Sequence, residues 1–121
     1  MAANEAAAVE TLRTVNSLCR DYSREWGIGY PVGLSNLGPA KPATASGADL
    51  VEGTVAEGTK NGYELTYVSS APAHGKILTY TINGDPVFPG RTGRQYFFTD
   101  QSGVIRYNFG GPASVSSPPI R

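Results

Sequence analysis

Residues 3–26 read ANEAAAVETLRTVNSLCRDYSREW, and this stretch decides the fold. It contains neither Gly nor Pro, and its large apolar residues recur at steps of three and four, as they do on one face of a helix. This apolar stripe consists of Val9, Leu12, Val15, Cys19, Tyr22 and Trp26. Gly27 and Gly29 end the pattern, because glycine commonly follows the last turn of a helix. The sequence therefore predicts one long helix over residues 1–26, with its stripe packed on a core.

The first two turns of this helix carry small side chains instead of large apolar anchors. Asn4 can cap the helix, although no Glu or Gln follows three residues later to complete a capping box. About 24 helical residues span roughly 36 Å, longer than so small a domain, so one end is expected to protrude. We therefore expect this helix to be the second part of a longer one. The small residues at its start are Ala3, Ala6, Ala7 and Ala8. Their small side chains suit the close approach of another helix. The high helix propensity of Ala explains them equally well.

A long connection follows the helix. Residues 27–62 are rich in Gly, Pro, Ala and Ser and show no sustained period, which predicts a connecting loop. Residues 46–55 within it can form a short helical turn. The stretch GIGYPVG has the glycines of a phosphate-binding loop, but it follows a helix instead of a strand, which indicates a helix stop.

From residue 63 the period of the apolar pattern changes to two. Four stretches rich in β-branched and aromatic residues predict strands at 63–68, 77–82, 95–98 and 104–109. Their connections are short, which favours antiparallel pairing. The helix stripe is expected to cover one face of this sheet, and the expected partners are Leu65, Leu78, Tyr80, Ile82, Phe98 and Ile105.

The whole chain then forms a single α+β domain. One long N-terminal helix packs on a four-stranded antiparallel sheet at residues 63–109. The tail at residues 110–121 has few large apolar residues, so it is expected to lie against the surface or to move freely.

Composition limits the partners of the chain. Its 121 residues suffice for one domain, and ten basic and ten acidic residues cancel, which argues against nucleic acid or an anionic membrane as the main partner. The last third is locally basic, and Arg91, Arg94 and Arg106 form a possible anion patch. The single cysteine, Cys19, excludes an intrachain disulfide and a cysteine-based zinc site. No apolar run reaches the roughly 18 residues that a membrane span needs.

No group of residues has the pattern of a catalytic or metal site. His74 lies in a connection between strands, without a local nucleophile or orienting group. Asp85 and Asp100 do not belong to a cluster of oxygen ligands, and NGDP at 83–86 indicates a turn. FFTDQSGVIR at 97–106 indicates a hairpin turn instead of a catalytic loop. The sequence therefore predicts neither enzymatic activity nor a cofactor.

Two weaker patterns suggest binding. In GRTGR, residues 90–94, consecutive backbone N–H groups can hold an anion, although a solvated turn is the simpler interpretation. The strand aromatics can stack on single-stranded nucleic acid only within a basic groove. Arg106 is the only basic residue on these strands, so cross-strand packing is the expected role of the aromatics.

Most of the chain resembles the bacterial type IV pilins and pilin-like proteins that have a short globular domain. The resemblance rests on four stretches: ANEAAAVETLRTVNSLCRDYSREWGIGYP at 3–31, GTKNGYELTY at 58–67, DPVFPGRTGRQYFFTDQSGVIRYN at 85–108 and GPASVSSPPI at 111–120. It implies that an apolar half-helix of about 20 to 25 residues, long enough for a membrane span, precedes this helix. The glutamate thought to guide pilin docking lies in that preceding segment, so Glu5 is not given that role. Many pilins pin their C-terminal region with a disulfide, which Cys19 alone cannot form.

The resemblance implies a structural function. The chain is expected to be a subunit of a type IV pilus or a related cell-envelope filament, held in the inner membrane by the preceding apolar segment before assembly. Its expected partners are copies of itself and the pilus assembly machinery. A pseudopilin of a type II secretion system is one alternative, although many major pseudopilins hold calcium and acids are sparse here. A DNA- or ligand-binding minor pilin that uses Arg91, Arg94 and Arg106 is another.

Overall fold

The structure of the chain, a computed structural model, describes residues 2–37, 58–60 and 62–120. The predicted helix is present as α1, Ala2–Trp26. It ends where Gly27 takes a φ of +68° and donates its N–H to the carbonyl of Ser23 at 3.1 Å. A 3₁₀ helix, Leu34–Leu37, follows in the connecting loop. The helical turn predicted at 46–55 lies outside the described residues.

One antiparallel sheet follows the helix, and its strands lie side by side in chain order. The strands are β1 (Thr59–Lys60), β2 (Tyr63–Ser69), β3 (Tyr80–Pro86), β4 (Gln95–Asp100) and β5 (Ile105–Phe109). An α+β arrangement of one N-terminal helix on four antiparallel strands is thus confirmed. The described residues add the two-residue edge strand β1, which lies in the predicted loop.

The prediction for the second strand, 77–82, was wrong in its bounds, because the corresponding strand of the structure, β3, covers Tyr80–Pro86. β3 continues through residues 83–86, which the sequence pattern indicated as a turn, because these residues pair with β2: Tyr63 with Pro86 and Leu65 with Gly84. A Cβ at Gly84 would lie 3.7 Å from the Leu12 side chain. That is an ordinary van der Waals distance, so Gly84 is a regular strand residue beneath α1 and does not close a turn.

Residues at the predicted start of that strand pair elsewhere. Ile77 forms an isolated parallel bridge with Gly29, and its carbonyl accepts the N–H of Tyr30 at 2.9 Å. A Cβ at Gly29 would lie 2.2 Å from the Ile77 carbonyl oxygen, so only glycine permits this approach. Leu78, expected in the core, is 54% exposed, whereas the preceding Ile77 is buried, because successive residues of an extended segment point to opposite sides.

The core lies between the helix stripe and one face of the sheet. Leu12, Val15, Cys19 and Tyr22 are buried as predicted, and Val9 and Trp26 are partly buried against them. Their sheet-side neighbours in the core include Leu65, Tyr80, Ile82 and Ile105, all expected from the sequence, and also Tyr63 and Phe97. Burial raises the pKa of the Cys19 thiol to about 12.

Phe98 was expected against the helix and instead faces the other side of the sheet. Successive strand residues point to opposite faces, and Phe97 is the one that joins the helix-side core. Phe98 is nonetheless 8% exposed, and its cross-strand partner is Asn83. Asn83 donates its side-chain amide to the carbonyl of Ala113, so the C-terminal tail lies over this second face.

A buried polar network joins the helix to the sheet. Asn16 is 3% exposed within the apolar stripe, and its Nδ2 donates to Thr99 Oγ1 at 2.9 Å. Its Oδ1 accepts the hydroxyl of Tyr80 at 2.7 Å, and Thr99 in turn donates to the carbonyl of Val104 at 2.9 Å. Burying an amide is costly unless it is hydrogen-bonded, and each of these bonds forms only at one position of α1 over β3 and β4.

Replacing Asn16 by Ala should lower the free energy of unfolding by about 1–3 kcal/mol, because the Tyr80 hydroxyl then loses its acceptor. Urea denaturation measures this loss. Ser17→Ala, at the exposed neighbouring position, is the control and should change stability little. Equal stabilities of the two variants would show that the network does not hold the helix.

Candidate functional site at the start of the helix

The loop between β3 and β4, residues 87–94, is a compact turn. The Phe88 carbonyl accepts the N–H groups of Arg91 and Thr92, both at 2.9 Å. The N–H of Gly90 donates to the carbonyl of Gly93 at 2.8 Å. These bonds set the shape of the GRTGR sequence and turn the next backbone N–H groups toward the helix.

The first turn of α1 binds this loop. Asn4 donates its side-chain amide to the carbonyl of Thr92 at 3.0 Å. One carboxylate oxygen of Glu5 accepts the backbone N–H groups of Arg94 and Gln95, both at 2.8 Å. We call these five residues the N-terminal clamp. It joins parts of the chain that are 88 to 90 residues apart.

Tyr63 supports the clamp from the sheet. Its hydroxyl donates to the Gln95 carbonyl at 2.7 Å, so both backbone groups of Gln95 are bound. A Cβ at Gly93 would lie 2.1 Å from that hydroxyl oxygen, so glycine is required for the ring to reach the loop. Burial, and then the Glu5 carboxylate, raise the pKa of Tyr63, which keeps this hydroxyl a donor.

The sequence favours a solvated turn at GRTGR, but the backbone N–H of its last residue, Arg94, and that of Gln95 bind an anion, the carboxylate of Glu5 in the same chain. The three arginines of the predicted anion patch lie on two different elements. Arg91 and Arg94 have exposed side chains in the loop, while Arg106 lies on β5 and donates Nη1 to the carbonyl of Ser117 at 2.9 Å.

The clamp also corrects the expectation that the helix starts without an anchor and that one end protrudes. Polar side chains replace the apolar anchors, and Ala8 is 1% exposed in the core of this chain. Ala8 therefore does not belong to a free helix surface. Ala3 and Ala6 are exposed and Ala7 is partly buried, so the small-residue surface reduces to the outward side of the first two turns.

The remaining candidate residues lie in turns. His74 is exposed and has a φ of +53°; with Gly75 it closes a two-residue hairpin in which Ala73 and Lys76 exchange backbone hydrogen bonds of 2.8 and 3.0 Å. Asp100 accepts the backbone N–H and the hydroxyl of Ser102, in the hairpin turn that the sequence predicts. Both residues have a structural role that accounts for their positions.

One acidic pair faces away from the helix. Asp85 and Glu64 are directly opposite on β3 and β2. Burial, followed by repulsion from Glu64, raises the pKa of the Asp85 carboxyl. Its Oδ1 is buried without a hydrogen-bond partner in the part of the chain that the structure describes. In the same residues, no three His, Cys, Asp or Glu side chains come together as a metal site.

Searches of family models, curated proteins and solved structures gave no match to this chain. Across residues 2–37, 58–60 and 62–120, no helix is long and apolar enough to cross a membrane.

Replacing Glu5 by Ala should lower the free energy of unfolding by about 1–3 kcal/mol, because two backbone N–H groups lose a charged acceptor. Hydrogen exchange of the Arg94 and Gln95 amides should accelerate in the same variant. The matched control is Glu10→Ala, whose exposed carboxylate makes only a 3.9 Å ion pair with Arg13 among the described contacts. Similar exchange rates in both variants would contradict the clamp.

Asp85→Asn should make the protein more stable at neutral pH. The folded-state pKa of Asp85 lies above the unfolded value of 3.8, so the wild type loses stability as pH rises from 3.8 through the raised pKa. The variant lacks this loss. Thermal unfolding at pH 3.5 and pH 7 tests it: the gain in Tm should appear at pH 7 and shrink at pH 3.5. Glu64→Gln removes only the smaller cause and should gain less; a pH-independent gain for Asp85→Asn would refute the explanation.

Proposed function

We propose that this chain is a structural subunit of a type IV pilus or a related cell-envelope filament, assembled from copies of itself through the start of α1. The observation that carries the proposal is the exposed small-residue surface of Ala3 and Ala6 on helical turns that the N-terminal clamp holds in place.

Small side chains allow the backbones of two helices to approach closely. Close approach alone does not orient a domain, because a free helix end bends independently of the sheet. Here Asn4 and Glu5 bind the first turn to the β3–β4 loop, and Asn16 fixes the middle of the same helix on the sheet. A contact at Ala6 therefore sets the orientation of the whole domain, as a repeating filament requires.

The proposal takes its cellular context from the resemblance to pilins. An apolar segment before α1 would hold the subunit in the inner membrane, and the pilus assembly machinery would transfer it to a filament on the cell surface. The role is structural, so the proposal includes no catalytic activity and no cofactor.

Two alternatives have less support. A pseudopilin of a type II secretion system shares the helix-on-sheet arrangement, and the paired acids Asp85 and Glu64 are too few for the calcium loop of many major pseudopilins. A DNA-binding minor pilin would rely on Arg91 and Arg94, since the Arg106 guanidinium binds the tail carbonyl of Ser117. Two exposed arginines in a chain of zero net charge are a weak basis for binding DNA.

The test is to introduce Ala6→Arg into the protein produced from its native gene. Because Ala6 is exposed, the purified variant should keep the wild-type Tm, while filaments seen by electron microscopy of sheared cell surfaces should fall at least about tenfold. Thr14→Arg, at an exposed position two turns further along α1, is the matched control and should leave filaments unchanged. Absence of filaments from wild-type cells, or normal filaments with Ala6→Arg, would refute the proposal.

A further inference from the structure

The C-terminal tail, residues 111–120, returns to the sheet and covers the outer edge of β5. The Tyr107 N–H donates to the carbonyl of Pro118 at 3.0 Å, and the Ile120 N–H donates to the carbonyl of Ile105 at 2.7 Å. Between these bonds Pro119 lies opposite Arg106 in an antiparallel bridge. The end of the tail thus adds to the sheet as a short extended segment.

The tail is held mainly through its own backbone. Besides the two edge bonds, three side chains donate to tail carbonyls: Arg106 to Ser117, Asn83 to Ala113 and Asn108 to Gly111. On the tail side, all five bonds use main-chain atoms. Apolar anchoring is slight: Ala113 is buried, Ile120 is partly buried and Val115 is 64% exposed. Backbone recognition of this kind is satisfied equally by the tail of any copy of the chain.

Two glycines, Gly110 and Gly111, connect β5 to the tail. Gly110 has a φ of +78°, and a Cβ at Gly110 or Gly111 would have no atom within 4 Å. The link is therefore uncrowded, but Asn108 donates its side-chain amide to the Gly111 carbonyl at 3.0 Å, so release of the tail requires that bond to break.

Pro119 limits what else this edge can bind. In the bridge with Arg106, the hydrogen bonds run through the residues on either side, so the backbone nitrogen of Pro119 faces outward. Proline has no N–H, so the covered edge offers no donor there to a further strand. The β5 edge can therefore bind one tail, and the bound tail does not offer a continuous edge to a further strand.

We propose that the β5 edge is an acceptor site for the C-terminal tail in trans, so that the tail of a second copy replaces the chain's own tail and links the two copies. This exchange creates no new type of contact, because identical residues form it within one chain and between two. It is independent of the helix contact proposed above and takes place in the purified protein.

The test uses two single variants, Arg106→Cys and Pro119→Cys, mixed at high concentration under mild oxidation. Directly opposite residues of such a pair have Cα atoms about 4.5 Å apart, which suits a disulfide. The expected product is a disulfide-linked heterodimer on a non-reducing gel. Its yield should exceed at least tenfold that of Arg106→Cys mixed with Val115→Cys, whose cysteine is exposed in the same tail. The wild type, with only the buried Cys19, controls for other cross-links.

The variant carrying both Arg106→Cys and Pro119→Cys in one chain shows whether the pairing itself exists. If it forms an internal disulfide while the mixture yields no more heterodimer than the Val115→Cys control, the tail stays on its own chain and tail exchange is refuted. If it forms no internal disulfide, the edge pairing is wrong and the proposal also fails. Neither result bears on filament assembly through Ala6.

Discussion

The buried amide of Asn16 is the constraint on which the rest of the structure depends. Apolar packing alone allows α1 to slide along or rotate over the sheet, because hydrophobic attraction has little directional preference. The bonds from Asn16 to Thr99 and Tyr80 form at one position only. Glu5 lies eleven residues earlier, roughly 16 Å along the helix, so this position also determines that the first turn meets the β3–β4 loop.

Different contacts hold the two ends of the helix, and each contact is made to the backbone of a segment that connects two strands. At its start, the Glu5 carboxylate binds the N–H groups of Arg94 and Gln95. Beyond its end, the backbone around Gly29 pairs with Ile77. Because both ends are attached, a helix of 25 residues fits a small domain without a large apolar side chain in its first two turns.

Local sequence patterns predicted the elements of this fold but not the contacts between them. The three-and-four spacing found α1 with its buried stripe, and alternation found β2, β4 and β5. The NGDP sequence at 83–86 predicted a turn, but these residues lie inside β3, where they pair with β2. Periodicity also does not reveal which face of a strand points to the helix. The sequence therefore predicts Phe98 as a core residue, whereas Phe97 packs against the helix.

The candidate site was harder to predict for the same reason. For GRTGR the sequence favours a solvated turn over an anion-binding one, because the anion is Glu5, 89 residues before Arg94, and nothing local connects the two. Asn16 left a readable signal, a polar residue inside the apolar stripe. The pairing of the tail with the β5 edge left almost no signal in the sequence, because it depends on main-chain atoms that every residue carries.

The start of the helix and the glycine link before the tail lie at the same end of the sheet. The Glu5 carboxylate accepts the backbone N–H of Gln95, and Gln95 pairs with Phe109 on the neighbouring strand. The glycine link begins at the next residue, Gly110. A tail of about ten residues reaches roughly 33 Å when extended, whereas packed helices lie only about 8–10 Å apart. If two copies meet at their helix starts as proposed, a tail of this length spans more than the distance between their helices. In a head-to-tail array, where each contact joins two different surfaces and does not close on itself, tails passed from one copy to the next would reinforce an open filament.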